Sequence, residues 1–259
     1  MHSVAFHIGS LSIYWYGVLV ALGFMVGIWS AARRAPHAGI SGEVVADLGP
    51  WLIVGALGGA RLLYVISYWQ EQFASKPFSE IFMIRHGGLV FYGGLIGASV
   101  TTIAYCRIKK LALWKVADIF APSIAIGHAF GRIGCFMNGC CYGKACTLPW
   151  AVHFPATHQT AGDGIHPTQL YESSLNLLLF FYLCHRFKKR QFDGQVFALY
   201  LMCFSVARST VEFYRGDYPA HYVGGLLTPA HLISALLFAA GAVLWKWRSA
   251  QSPVRPPAQ

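Results

Sequence analysis

The chain has 259 residues, of which 56% are hydrophobic and only 12% are charged. Soluble domains carry about 25% charged residues, so this composition excludes an ordinary water-soluble fold and indicates a lipid environment. The net charge of +10 does not indicate nucleic acid binding, because the basic residues form short clusters between apolar runs. Cytoplasmic loops of membrane proteins are built in this way.

Seven apolar segments predict membrane-spanning helices, each of which needs about 20 mostly apolar residues. In chain order they are 14–32, 46–68, 89–106, 117–133, 169–185, 196–210 and 226–245. The first segment does not resemble a cleavable signal peptide, because no Lys or Arg precedes it and Arg33 and Arg34 follow it. We therefore expect the first helix to be retained and the N-terminus to face outward.

The loops between these segments alternate in charge. One set carries most of the basic residues, namely Arg33, Arg34, Arg107, Lys109, Lys110, Lys115, Arg186, Lys188, Lys189, Arg190, Lys246, Arg248 and Arg255. The other set holds only Lys76, Arg85, Lys144 and Arg215 outside the helices. The positive-inside rule places the first set in the cytoplasm, which predicts an extracytoplasmic N-terminus and a cytoplasmic C-terminus.

These patterns predict an all-α integral membrane protein, with one transmembrane domain over residues 1–259. Outer loops 69–88 and 134–168 are too long to be simple connectors, and long loops commonly carry function. We therefore expect both loops to contribute to a site.

Ionisable residues at membrane depth each cost roughly 2.5–3.5 kcal/mol on insertion scales. The predicted helices contain five, namely Arg61, Arg132, Glu172, Arg208 and Glu212. A single arginine near a helix end can extend to the interface, but five such groups predict an internal polar cavity near the outer leaflet. Arg208 and Glu212 are four residues apart and can pair on one helix face. Guanidinium groups bind phosphate bidentately, so a phospholipid headgroup is the expected ligand.

Glycines are dense around Tyr92. Small residues at such spacing usually permit close packing of helices in lipid. The pair Gly93-Gly94 is denser than packing requires, so the sequence predicts that a ligand approaches the backbone there.

Motif blocks from the first predicted helix to the seventh carry a family resemblance. They are Trp15-Tyr16-Gly17, Gly58-Gly59-Ala60-Arg61, Gly93-Gly94-Leu95-Ile96-Gly97, Gly131-Arg132-Ile133-Gly134 with Phe136, Asn138 and Gly139, 166–172 (HPTQLYE), and Arg208, Glu212, Phe213 and Arg215-Gly216-Asp217. In this order the blocks resemble the prolipoprotein diacylglyceryl transferase family.

The resemblance implies seven helices and an enzyme of the bacterial inner membrane whose active site faces the extracytoplasmic side. Such enzymes move the diacylglyceryl group of phosphatidylglycerol to the lipobox cysteine thiol of a lipoprotein precursor and release glycerol phosphate. No cofactor is expected.

Residue roles follow from that chemistry. Arg132 and Arg208 would stabilise negative charge on the leaving phosphate, and Glu212 would orient Arg208. Glu172 would fix Tyr171 or the helix that follows it. The candidate substrate-binding residues are Tyr16, Arg61, Gly93, Gly94, Asn138, Tyr171, Glu172 and Arg215.

The chain departs from the family at Tyr92, where a histidine usually assists deprotonation of the acceptor thiol. A phenol with a pKa of about 10 is a poor base at neutral pH, unless nearby arginines depress that pKa. His128 is an alternative, because it lies one turn before Arg132 on the same face, although it could equally be a packing residue. His86 is a further candidate.

Cysteines replace the family's usual Asn and Glu at positions 135 and 140, and Cys141 and Cys146 follow. Three interpretations stay open. The thiols form structural disulfides, bind a metal with His153, His158 or His166 despite a spacing unlike standard zinc motifs, or react with the lipid.

These departures leave three alternatives to the leading function. The chain could be a related transferase with a different acceptor, a non-catalytic protein that binds or transports lipid, or a membrane thiol–disulfide protein.

Overall fold

The computed structural model describes residues 4–9, 11–74, 76–83, 87–217 and 227–251. Predictions that involve Arg85, His86, Leu226 or Arg255 lie outside these ranges. The described ranges contain seven long helices: α1 (Trp15–Arg34), α2 (Gly42–Ser67), α3 (Phe91–Ile108), α4 (Leu113–Asn138), α5 (Thr168–Lys188), α6 (Gln195–Glu212) and α7 (Pro229–Gln251).

Each predicted spanning segment coincides with one helix. Four helical stretches in the described ranges are long and apolar enough to cross a membrane: Trp15–Ala38, Gly42–Ser67, Leu113–Asn138 and Pro229–Gln251. Helix α5 is less apolar because it buries polar side chains such as Gln169, Ser173 and Asn176. The predicted all-α membrane class is therefore confirmed, while the count of seven spans and the orientation stay predictions.

Helix α4 lies at the centre of the bundle and packs against α1, α5 and α6. Helix α1 comes so close that a Cβ atom on Gly23 would lie 2.8 Å from Cβ of Phe130. One turn further along, the Ser123 hydroxyl donates a 2.7 Å hydrogen bond to the carbonyl of Gly27. Small residues on both helices therefore permit their backbones to approach.

Helices α2 and α3 also meet through glycines. A Cβ atom on Gly59 would collide with the carbonyl oxygen of Gly93 and lie 2.9 Å from Cα of Gly97. A Cβ atom on Gly93 would lie 2.6 Å from Cβ of Leu63, and one on Gly94 would lie 3.3 Å from the Ala56 carbonyl. Close packing against α2 thus accounts for small residues at both positions, and the predicted approach of a ligand there stays a prediction.

The apolar core lies at the end of the bundle where α1 ends and α6 begins, and includes Leu48, Ile119, Leu183 and Val196. The buried carboxylate of Asp118 accepts hydrogen bonds there from the backbone N–H groups of residues 194 (2.8 Å) and 197 (2.9 Å). It thereby caps α6, whose first N–H groups have no partner within the helix. Helix α6 is thus fixed at one end, and its other end can carry polar residues.

Two short antiparallel pairs accompany the helices. Strands β1 (Val4–Ile8) and β2 (Leu11–Tyr14) precede α1, and β3 (Val152–His153) and β4 (Gly164–Ile165) lie in the loop between α4 and α5.

The α2–α3 contact predicts that Gly59→Ala destabilises the bundle, because the new methyl group would meet rigid backbone. Overpacking of this kind costs about 1–3 kcal/mol. Thermal unfolding in detergent should show a lower midpoint for this variant. Gly58→Ala is the matched control, because a Cβ atom on Gly58 meets nothing within 4 Å. Equal midpoints for the two variants would contradict the packing.

Candidate active site

Ionisable side chains converge where α4 ends, α5 begins and α6 ends, which we call the site end of the bundle. Glu172 lies at the centre and is only 2% exposed. Its Oε2 atom is 3.0 Å from Nε of Arg132, and its Oε1 atom is 3.4 Å from Nε2 of His128 and 4.0 Å from Nε of Arg208. One carboxylate on α5 therefore contacts two residues of α4 and one of α6.

A second buried carboxylate continues the network. Glu212 accepts a 2.6 Å hydrogen bond from Nη1 of Arg208, which confirms the pair predicted from their spacing. Its other oxygen accepts a 2.6 Å hydrogen bond from the hydroxyl of Thr228, just before α7. Thr228 gave no signal in the sequence, because an isolated threonine beside an apolar helix is common.

Arg215 joins the network to the loop that follows α4. Its guanidinium donates two hydrogen bonds to Asp217, of 2.9 and 2.7 Å, and lies 3.9 Å from Glu212. Next to it the Lys144 N–H donates to the carbonyl of Tyr214, and the Gly216 N–H donates to that of Tyr142. These backbone pairs fix the loop against the end of α6.

Arg132 and Arg208 retain unused hydrogen-bond donors. Within the described ranges, no protein acceptor lies against the two terminal nitrogens of Arg132 or Nη2 of Arg208. The two side chains are 15% and 12% exposed, so each guanidinium is largely buried while these terminal nitrogens keep some accessible surface. A buried guanidinium requires acceptors for all its donors. The pair is therefore suited to bind an anion with several oxygens, such as a phosphate.

Tyr171 is held by the outer loop, so of the two alternatives predicted for Glu172 the contact with Tyr171 is not formed. Its hydroxyl accepts a 2.8 Å hydrogen bond from Nε1 of Trp150 and lies 3.2 Å from Nδ1 of His166. Glu172 points to the other side of α5, where the arginines attract it.

Tyr16 and Asn138 lie at the site end on α1 and α4. A Cβ atom on Gly134 would lie 3.2 Å from the ring of Tyr16, so the start of α1 presses against the last turns of α4. Asn138 is exposed at the end of α4, with its side chain beside Cys140.

Two predicted residues lie apart from this network. The guanidinium of Arg61 donates to backbone carbonyls of residues 80, 81, 87 and 88, at 2.7 to 3.3 Å, and thereby holds outer loop 69–88. Tyr92 is 54% exposed on α3, and its only ring contact in the described ranges is with Phe91. The structure thus gives Arg61 a structural contact and brings His128, not Tyr92, to the arginines.

Three of the four clustered cysteines come together beside the arginines. The sulfur atoms of Cys135, Cys140 and Cys141 all lie within 4.8 Å of one another, and all seven cysteines of the chain are free thiols. Hydrogen bonds with the other two thiols, together with the charges of Arg215 and Arg132, hold the pKa of Cys141 below its usual value.

Cys146 and the three loop histidines are not part of this cluster. Within the part of the chain that the structure describes, Cys146 lies outside this group of three sulfurs. His158 contacts the carbonyl of Gly139 through Nε2 at 2.8 Å, His153 contacts that of Gly162 through Nδ1 at 2.9 Å, and His166 contacts Tyr171. A site that combines the cysteines with these histidines is therefore not formed.

Long apolar helices around a buried Arg–Glu network are typical of a membrane protein that binds an anionic ligand. The chain matches the prolipoprotein diacylglyceryl transferase family over residues 3–247 and belongs to that family.

Curated relatives support this membership over nearly the whole chain. A phosphatidylglycerol–prolipoprotein diacylglyceryl transferase of Finegoldia magna is 39% identical over 245 residues, which covers 94% of each chain. Enzymes of the same name from Synechococcus elongatus and Shouchella clausii are 36% and 39% identical. Each alignment covers 96% of this chain and 90% of the relative.

The network predicts that Glu172→Gln destabilises the protein, because Arg132 would lose its buried counter-charge. Loss of one partner of a buried ion pair costs about 3–5 kcal/mol. The thermal midpoint in detergent should fall clearly below that of Glu71→Gln, which changes an exposed glutamate. A midpoint unchanged by Glu172→Gln would contradict the central position of this carboxylate.

Proposed function

We propose that this chain transfers the diacylglyceryl group of phosphatidylglycerol to the lipobox cysteine thiol of prolipoproteins and releases glycerol phosphate. The observation that carries the proposal is the pair of arginines, Arg132 and Arg208, which two buried glutamates hold while other donors of both guanidinium groups stay unused. The names of the relatives give the same donor and acceptor.

The arginines suit the step in which the carbon–oxygen bond to the phosphate breaks. The electron pair of that bond remains on a phosphate oxygen, where negative charge grows in the transition state. Preorganised donors that meet such charge in a water-poor site accelerate the reaction. Glu172 and Glu212 position the guanidinium groups, so no reorganisation is needed as the charge forms.

Residues around the arginines support binding of the headgroup. Tyr171, held by Trp150 and His166, and Asn138 at the end of α4 present polar groups at the same end of the bundle. Tyr16 packs against Gly134, in the last turns of α4. These side chains are suited to hydrogen-bond the glycerol or phosphate oxygens, while the buried Arg215 connects the network to Asp217.

His128 is the better-placed alternative to the family's base. It contacts Glu172 and packs against the ring of Phe204, with 5.1 Å between ring centroids. Tyr92 has an exposed phenol on a different helix, so a role for it requires the substrate to bridge the two positions.

We also propose a single seven-span domain in the bacterial inner membrane, with the site end on the extracytoplasmic side. The basic ends of α1, α3, α5 and α7 support this orientation, because all lie opposite the site end and cytoplasmic ends carry excess Lys and Arg. The exported precursor and the lipid headgroup would then meet the arginines from the same side.

A direct assay tests the function. Purified protein in phosphatidylglycerol vesicles should convert a lipobox peptide to its diacylglyceryl thioether and release an equal amount of glycerol phosphate, measured by mass spectrometry. A peptide with serine in place of cysteine is the control and should not react. Headgroup release without peptide modification would indicate another acceptor, and bound lipid without turnover would indicate a non-catalytic role; either result would refute the proposal.

Removal of either arginine should slow the reaction. We expect Arg132→Ala and Arg208→Ala each to reduce kcat/KM at least about 10²-fold, the effect of losing one charge-stabilising donor. Arg107→Ala is the control, because Arg107 is exposed at the opposite end of α3. Near-wild-type rates in both site variants would disprove these roles.

A further inference from the structure

The three converged thiols have the arrangement of a metal site. Cys135 lies in the last turn of α4, and Gly139, with φ of 74°, ends that helix in the left-handed conformation. The chain turns back, and the N–H of Cys140 donates a 3.1 Å hydrogen bond to the carbonyl of Cys135. This turn places the next two thiols beside that of Cys135.

The positions of Cys140 and Cys141 are fixed by the neighbouring helix. Cys141 has a φ of 63°, a backbone conformation that residues other than glycine rarely adopt. The side chain of Gln169 donates a 2.7 Å hydrogen bond to the carbonyl of Cys140, and Thr168 donates a 2.8 Å hydrogen bond to that of Cys141. Strained conformations persist where the surroundings over-determine them, commonly at functional sites. The thiols are therefore held together before any ligand binds.

The spacing of the sulfurs suits a tetrahedral thiolate site. Zinc–sulfur bonds of about 2.3 Å place tetrahedral ligands roughly 3.8 Å apart, and the three sulfurs already lie within 4.8 Å. A disulfide would use two of the three thiols and leave the third unused. Zinc would use all three and, as a four-coordinate ion, would keep one position for another ligand.

The charges around the cluster also favour a metal. Three thiolates and one divalent ion carry a net charge of about minus one, which requires compensation in a low-dielectric site.

We propose that Cys135, Cys140 and Cys141 bind a zinc ion whose fourth position takes the acceptor thiol. The inference rests on the proposed function and addresses its missing step, the activation of that thiol. A thiol bound to zinc is deprotonated at neutral pH, so the site replaces the base that this chain lacks at position 92.

The reaction balances with these parts. The acceptor thiol binds zinc and releases its proton to water. Its sulfur then forms a bond to the glycerol carbon that carries the phosphate ester, while the carbon–oxygen bond breaks and its electron pair stays on the phosphate. The phosphate monoester that leaves takes up a proton, so no oxidant or reductant is required.

Metal analysis tests the site independently of activity. Protein purified under reducing conditions and incubated with zinc should retain one zinc ion per chain after removal of excess metal, measured by inductively coupled plasma mass spectrometry. Cys135→Ser, Cys140→Ser and Cys141→Ser should each weaken zinc binding at least about tenfold. Cys146→Ser is the matched control, because it removes a thiol of the same loop from outside the cluster, and it should bind as wild type does. The proposal would be overturned if all four variants retained zinc as the wild type does. It would also be overturned if neither the wild type nor any variant retained zinc.

Cobalt substitution tests the open position. The sulfur-to-cobalt charge-transfer band of the wild-type protein should strengthen when a lipobox peptide is added, and a serine-containing peptide should leave it unchanged. A band that does not respond would mean a structural metal and would refute the role in thiol activation. Chelation should abolish transfer, and zinc should restore it, which avoids variants that fail to fold. Full diacylglyceryl transfer by the metal-free protein would refute the zinc site and leave the proposed function intact. A metal band that responds to the peptide, without any diacylglyceryl transfer, would refute the proposed function.

Discussion

The ion pair between Glu172 and Arg132 is the constraint on which the site end depends. A charge in lipid is tolerated only with a partner, so the arginines of α4 and α6 require a carboxylate between them. Glu172 supplies it from α5 and thereby sets the relative positions of three helices. The two oxygens of Glu172 are shared among Arg132, Arg208 and His128. The carboxylate therefore positions the guanidinium groups without occupying all of their hydrogen-bond donors. The same contacts that permit arginine inside the bundle thus leave its outer nitrogens ready for an anion.

One end of the bundle contains the apolar core, and the other end contains the polar candidate site. At one end Asp118 caps α6 and apolar side chains fill the space between helices. At the other, polar side chains occupy the positions that a core would fill. The apolar end can hold the helices together while the site end carries strained backbone at Cys141 and donors that await a ligand. Polar contacts across the loops, such as the pairing of Lys144 with Tyr214, complete the site end.

The sequence predicted the helices well, because long apolar runs and basic loops follow from the bilayer itself. It also predicted the Arg208–Glu212 pair and the position of His128 beside Arg132, since both depend only on helical spacing. It did not reveal the packing of Gly93 against α2, because the residues that contact it there are distant in sequence. The roles of Arg61 and Tyr171 depend on loop carbonyls and on Trp150, which no local pattern reveals. The meeting of three thiols could be foreseen only in part: Asn138-Gly139 is a typical helix end, but the direction of the returning chain depends on Thr168 and Gln169.

Helices α2 and α3 touch through their backbones at Gly59 and Gly93, with no side chain between them that could rotate aside. They must therefore move as one rigid leaf. This leaf joins the remaining helices chiefly through α1, and α3 meets α4 at few positions. A small swing of the leaf would part α3 from α4 without breaking either glycine contact.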